Sequence, residues 1–181
     1  PKIFENPTKG EEAKRVFNDA QNLLKSIIKD DRLDAKAVYG IFRAQSHHED
    51  IELFEEGVSF YFPRQLMDKG SQPNFSLADY ISPSGDDYIG LFAVTAGHGI
   101  QNIIQEYQSK NDDYNEIMVK VLADRLAEAA AEWLHRKVRT KYWGYSKKEE
   151  LDLNDMLYEK YIGIRPAPGY PACPDHKEKD K

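Results

Sequence analysis

Several features that define whole classes of protein are absent from this sequence. It has one cysteine, Cys173, among 181 residues, so no disulfide can form within the chain and a reducing, cytoplasmic setting is expected. No apolar run approaches the length of a membrane span and no signal-peptide pattern opens the chain, so we expect no membrane partner. Lys and Arg total 25 against 31 Asp and Glu. This leaves no basic excess for phosphates and argues against nucleic acid as a partner.

What the chain does contain is enough apolar material for a core. Hydrophobic residues make up 40% of the sequence and aromatic residues 12%. A length of 181 residues fits one domain spanning 1–181, and the sequence shows no internal repeat, low-complexity tract or linker that would divide it.

Apolar periodicity predicts four helices. The first runs from Glu11 to about Lys29, the second from Ile100 to about Gln108, and a short one lies within Glu149–Lys160. A long helix is predicted at about Asp113–Trp143. Its predicted buried stripe consists of Ile117, Met118, Val121, Leu122, Leu126, Ala129, Ala130, Trp133, Leu134 and Val138.

Four segments have the β-branched and aromatic content of strands. They are Ala37–Ala44, Ile51–Phe54, Val58–Phe62 and Tyr88–Thr95, the first three joined by short polar turns. Short turns favour antiparallel neighbours. The expected fold is therefore α+β: a twisted antiparallel or mixed sheet flanked by helices, with one long helix in the C-terminal half followed by a proline-rich loop.

The proline-rich loop is the most distinctive stretch of the chain. Arg165–His176 contains four prolines, which cannot occupy a helix interior, so it is predicted to run extended with a turn at Gly169. Such a segment loses little conformational entropy on binding, which suits ligand recognition. It offers a guanidinium, a phenol and an imidazole, with a glycine that lets a ligand approach the backbone.

The residues alone leave alternatives open. Arg165 could clamp a carboxylate or form a surface salt bridge, and Tyr170 could stack on a ligand or pack the loop down. Cys173 is expected to be a small buried residue. On the long helix, Glu128 lies in a polar stripe that is either a solvated face or the wall of a pocket; the stripe's other members are Arg125, Glu132 and His135.

Two further motifs give weak signals. His47–Asp50 contains metal-ligand residue types but lacks ligand spacing and a second cluster, so a polar turn is predicted and no metal is assigned. Gly97–Gly99 lies between a strand and a helix, but it lacks the spacing of a dinucleotide site and the lysine of a triphosphate loop.

The chain resembles the activation domain of cobalamin-dependent methionine synthase over most of its length. The resemblance is carried by Asp112–Lys120, Leu122–Ala129, Tyr142–Tyr145 and Gly163–Pro174, and upstream, in the same order, by Ser76–Tyr80 and Asp87–Thr95. The run from Arg165 to Pro171 is its most specific part.

The resemblance implies binding of S-adenosylmethionine in a shallow groove beside an antiparallel sheet. It implies a repair function in a methyltransferase: cob(II)alamin is reductively methylated to methylcobalamin with an electron from a flavodoxin-type donor. Cobalamin is carried by a separate module that docks on the domain, so this chain alone is not expected to complete the overall reaction.

The same resemblance assigns binding residues and no catalytic acid or base. Arg165 would hold the methionyl carboxylate, and backbone at Ala167 and Gly169 would meet the adenosyl part. Tyr170 would border the sulfonium and the corrin face. The remaining assignments, at the positive end of the ligand, are Glu128 and Glu159.

The chain departs from the family at both ends. The family contributes an aspartate from an upstream segment and aromatic residues from downstream elements that this sequence lacks. The chain is therefore expected to be shortened at both ends. The alternative function is a docking module that binds the cobalamin module or flavodoxin but no longer binds S-adenosylmethionine.

Overall fold

The computed structural model describes residues 1–181 and confirms the α+β class. In chain order the main elements are α1 (Gly10–Lys29), β1 (Asp34–His47), β2 (Asp50–Leu53), β3 (Val58–Tyr61), β4 (Asp87–His98), α2 (Ile100–Ser109), α3 (Asp113–Lys137) and α4 (Leu153–Leu157). A 3-10 turn at Leu77–Tyr80 precedes β4, and a π-helical turn at Val138–Tyr142 follows α3. None of the helices combines the length and apolar character needed to cross a membrane.

The four strands form one sheet in the order β3-β2-β1-β4. β1 pairs antiparallel with β2, with Ala44 opposite Leu53, and β2 pairs antiparallel with β3, with Asp50 opposite Tyr61. Both connections are short hairpin turns, as the sequence predicts. β1 begins three residues before the predicted strand and ends three residues after it.

The chain divides into two compact units. The first consists of residues 1–38 and 93–136, and the second of residues 39–92 and 137–181. The core of the first unit is contributed by α1, α2 and α3: Ile27, Ile103, Ile104, Met118, Val119 and Leu122. The core of the second is contributed mainly by the strands: Ala44, Ile51, Leu53, Phe62, Ala78, Ile89 and Cys173.

The predicted buried stripe of α3 is partly wrong. Ile117, Val121 and Trp133 are exposed, as is Ala129, whereas Val119 and Ala123 are buried. The helix has apolar side chains on more than one face. Ile117 and Val121 point about 100° away from Met118 and Leu122, so periodicity alone cannot select the face that packs. Packing in the first unit selects the Met118–Leu122 face.

The C-terminal tail covers the outer edge of β3. The Tyr61 amide donates to Glu178 Oε2 at 3.1 Å, and Lys181 Nζ donates to the Ser59 carbonyl at 2.8 Å. Lys181 also pairs with Glu178 at 2.9 Å. The charged tail therefore supplies hydrogen-bond partners that a neighbouring strand would otherwise provide.

Candidate functional site

The proline-rich loop folds back on itself around Gly169. The Tyr170 amide donates to the Ala167 carbonyl at 3.1 Å, and the Gly169 amide donates to the Cys173 carbonyl at 2.9 Å. Gly169 has a φ of +102°, a region that favours glycine. The predicted turn is confirmed, and the loop's own hydrogen bonds fix the path of its backbone.

One side of the loop is anchored in the second unit. Cys173 is 2% exposed within the core, and its Sγ lies 2.9 Å from the carbonyl oxygen of Ala167. Burial raises the pKa of this thiol. The amide of Leu77, at the start of the 3-10 turn, donates to the carbonyl of Ala172 at 2.8 Å. The prediction that Cys173 is buried is confirmed.

The opposite side of the loop is open to solvent. Ala167 and Gly169 are exposed, Tyr170 is 62% exposed, and Arg165 is half-buried. Tyr170 therefore does not pack the loop against the domain, which was one of the two interpretations of this side chain. A half-buried guanidinium beside exposed backbone is suited to hold a planar anion against the loop.

The segment that enters the loop is held by residues that sequence reasoning missed. Arg139, on the π-helical turn, forms two hydrogen bonds with Glu149, from Nε to Oε2 at 2.7 Å and from Nη2 to Oε1 at 2.8 Å. The same guanidinium lies 4.0 Å from the centre of the Tyr161 ring. No pattern in the sequence could reveal this pair, because its members are ten positions apart with a turn between them.

Glu159 occupies an unusual backbone position at the end of α4. The Lys160 amide donates to the Asp155 carbonyl and the Glu159 amide to the Met156 carbonyl, both at 3.0 Å, the two bonds of a Schellman cap. Glu159 has a φ of +52° where glycine is usual. The exposed Glu159 side chain therefore projects from a backbone conformation that glutamate does not favour.

Glu128 belongs to the first unit. Its carboxylate lies 2.8 Å from Arg125 Nη2, and both side chains are exposed. His135 of the same predicted polar stripe is buried, and Glu132 is half-buried. The stripe is therefore only in part a solvated face.

The structure does not arrange either of the two weak motifs, His47–Asp50 and Gly97–Gly99, as a binding site. His47 Nε2 lies 3.7 Å from Glu52 Oε2, and His48 has a φ of +57° in the hairpin turn. Gly99 has a φ of +92° and caps α2 in a cleft of about 340 Å³. Asp30, Asp31 and Asp34 line that cleft with Arg32, so negative charges outnumber positive ones there and disfavour phosphate.

Comparisons with known proteins agree with this architecture. Residues 1–181 match the family model described as "Vitamin B12 dependent methionine synthase, activation domain". The chain is also similar to a crystal structure of the MetH reactivation domain bound to AdoHcy, with 43% identity and a TM-score of 0.88. The alignment covers 99% of this chain and 58% of that one, so the chain spans somewhat more than half the length of the solved domain. The chain therefore belongs to the family of vitamin B12 dependent methionine synthase activation domains.

Proposed function

We propose that this chain binds S-adenosylmethionine and supports the reductive methylation of cob(II)alamin to methylcobalamin, which reactivates methionine synthase. The observation that carries the proposal is the anchored loop, which exposes Ala167, Gly169 and Tyr170 beside the half-buried Arg165. Family membership and the similarity to an AdoHcy-bound domain support it. The same reasoning gives a cobalamin module and a flavodoxin-type donor as partners, and the cytoplasm as the location.

The donor set of the second unit fits S-adenosylmethionine. The Arg165 guanidinium matches the methionyl carboxylate, and exposed backbone at Ala167 and Gly169 can hydrogen-bond the adenosyl part. The Tyr170 ring and the Glu159 carboxylate suit a sulfonium and an ammonium group. The proposal extends to Glu128, an exposed carboxylate of the first unit.

The exposed surface next to the loop also fits a corrin ring. Ile162, Ile164 and Tyr170 expose apolar surface, which suits a large and partly apolar face. Cobalamin, carried by a separate module, supplies the cobalt that accepts the methyl group. The contribution of this chain is to hold the sulfonium in a fixed orientation, and no residue transfers a proton.

An alternative function is docking of the cobalamin module or flavodoxin without S-adenosylmethionine. The observation in its favour is the apolar surface that α4 and its cap expose. Leu153, Leu157 and Tyr158 are each more than two-thirds exposed there. Large apolar side chains clustered on a surface often mark a protein contact.

Calorimetric titration with S-adenosylmethionine tests the proposal. The wild-type chain is compared with Arg165→Ala and with Arg43→Ala, a control arginine of the second unit paired with Asp86 at 3.7 Å. We expect binding that Arg165→Ala weakens tenfold or more, about 1.4 kcal/mol, and that Arg43→Ala leaves unchanged. A chain that melts cooperatively but gives no heat in any variant would overturn ligand binding. Titration with the cobalamin module would then decide for or against the docking function.

A further inference from the structure

The Arg139–Glu149 pair is almost completely removed from water. The side chains of Arg139 and Glu149 are 0% and 4% exposed, and two hydrogen bonds join them as a fork. Taking two charges out of water opposes folding, and apolar residues of similar volume often serve stability as well or better. Fixed geometry is the advantage that a forked ion pair has over apolar packing.

Tyr161 packs against the Arg139 guanidinium and so links the buried ion pair to the chain that leads into the proline-rich loop. The flat guanidinium of Arg139 lies over its ring, with 4.0 Å from Cζ to the ring centre. Glu149 fixes the guanidinium in its plane, so the ring beneath it is fixed too. Tyr161 is two residues after Glu159 and four before Arg165, the two charged side chains assigned to the ligand in the second unit.

A second contact holds the chain immediately after Tyr161. The Tyr145 hydroxyl donates to the Ile162 carbonyl at 3.3 Å. Gly163 has a φ of +99°, and a β-carbon there would lie only 2.7 Å from that hydroxyl oxygen. Partial burial raises the pKa of Tyr145, so the phenol stays protonated, and able to donate, well above neutral pH. Residues 161–163 are therefore held from two directions just before Arg165.

We infer that Arg139, Glu149 and Tyr161 are positioning residues for S-adenosylmethionine, which set the place from which Arg165 reaches the methionyl carboxylate. The inference rests on the proposed function. It assigns a role to three residues that do not themselves touch the ligand. Because they act through Arg165, their removal affects the amino-acid end of the ligand more than the adenosyl end.

The test compares S-adenosylmethionine with 5′-methylthioadenosine, which lacks the amino-acid group. Tyr161→Leu removes the flat ring, and Arg139→Lys removes the fork while keeping the charge. We expect each variant to weaken S-adenosylmethionine binding about tenfold and 5′-methylthioadenosine binding less than threefold. Tyr161→Phe keeps the ring and is expected to restore wild-type binding. Ile51→Ala, a core truncation in the same unit, controls for general destabilisation, and a cooperative melt confirms that each variant folds.

A double variant separates positioning from a structural role. In an Arg165→Ala background, Tyr161→Leu should cause no further loss, because the group that it positions is already absent. Three outcomes would overturn the inference and leave the proposed function standing. They are equal losses of affinity for both ligands, losses of affinity that add up in the double variant, and unchanged binding in Tyr161→Leu and Arg139→Lys. A folded wild-type chain that binds neither ligand would overturn both.

Discussion

The imidazole of His176 lies 2.8 Å from the point where a β-carbon on Gly169 would sit. Gly169→Ala would therefore combine a crowded contact with a backbone φ of +102° that alanine disfavours. We expect a loss of about 1–3 kcal/mol in the free energy of unfolding, measured in urea. Gly57→Ala is the control, because its φ of +62° lies in the common left-handed region and nothing lies within 4 Å of the added β-carbon; it should cost about 1 kcal/mol. Equal losses in the two variants would contradict the added cost of the contact and the larger φ at Gly169.

The buried thiol of Cys173 should report on opening of the loop. Because burial raises its pKa and blocks access, the native chain should react with a thiol reagent at pH 7.5 at least a hundredfold more slowly than the chain in urea. Ser71→Cys places a thiol on an exposed segment and should react at once. Rapid labelling of native Cys173 would mean that the loop opens freely.

Asp79 should make the anchor of the loop sensitive to acid. Its carboxylate accepts two hydrogen bonds from Arg64 and one from the Ser76 amide at 2.9 Å, and the Arg64 contact lowers its pKa. A lowered pKa contributes stability above the ordinary aspartate value of about 3.9, and that contribution is lost as the pH falls through the folded-state pKa. Asp79→Asn should therefore be about 0.5–1 kcal/mol less stable at pH 7, with the difference shrinking below pH 4.

Urea unfolding at several pH values measures this difference. Asp86→Asn is the matched control, since Asp86 lies in the same unit, is largely exposed and only approaches Arg43 at 3.7 Å. It should change stability by less than about 0.5 kcal/mol at any pH. A constant difference between wild type and Asp79→Asn from pH 7 to pH 2.5 would contradict the assignment.

Glu159 allows binding to be separated from stability. Because its φ of +52° suits glycine, Glu159→Gly should keep or raise stability, by up to about 1 kcal/mol, while S-adenosylmethionine binding falls severalfold. Asp31→Gly, which replaces another residue of positive φ in the other unit, should raise stability without affecting binding. Unchanged binding in Glu159→Gly would remove this carboxylate from the site.

Glu128 is tested by a variant that should leave the fold intact. Its pair with Arg125 is exposed on both sides, so Glu128→Gln should change stability by less than about 0.5 kcal/mol. S-adenosylmethionine binding should weaken severalfold, more at low than at high salt. Glu12→Gln removes a similar exposed partner of Arg15 and should leave binding unchanged. Equal affinities in both variants would contradict a role for Glu128.

Local chemistry made the elements and the loop predictable. The strands have β-branched and aromatic runs between polar turns, and four prolines around Gly169 permit little other than an extended segment with a turn. The expectation that Arg165–Pro174 binds a ligand came from the family resemblance. The residues alone left Arg165 and Tyr170 undecided, and the exposure of Tyr170 is information that only the fold contains.

Features that depend on distant packing could not be predicted. The buried face of α3 is chosen by its neighbours in the first unit, so Trp133 is exposed and His135 is buried against expectation. The fork between Arg139 and Glu149 depends on a π-helical turn and on the path of the chain after it. That residues 1–181 act as one activation domain stays a prediction.

The tail that covers β3 has a consequence for behaviour at high concentration. An open strand edge is a template on which other copies of a chain can stack, and such stacking leads to fibrils. Glu178 and Lys181 occupy the Tyr61 amide and the Ser59 carbonyl with charged groups that an incoming strand would have to displace. Removing the side chains of Glu178 and Lys181 is therefore expected to leave the Tyr61 amide and the Ser59 carbonyl open to pairing with a strand of another copy.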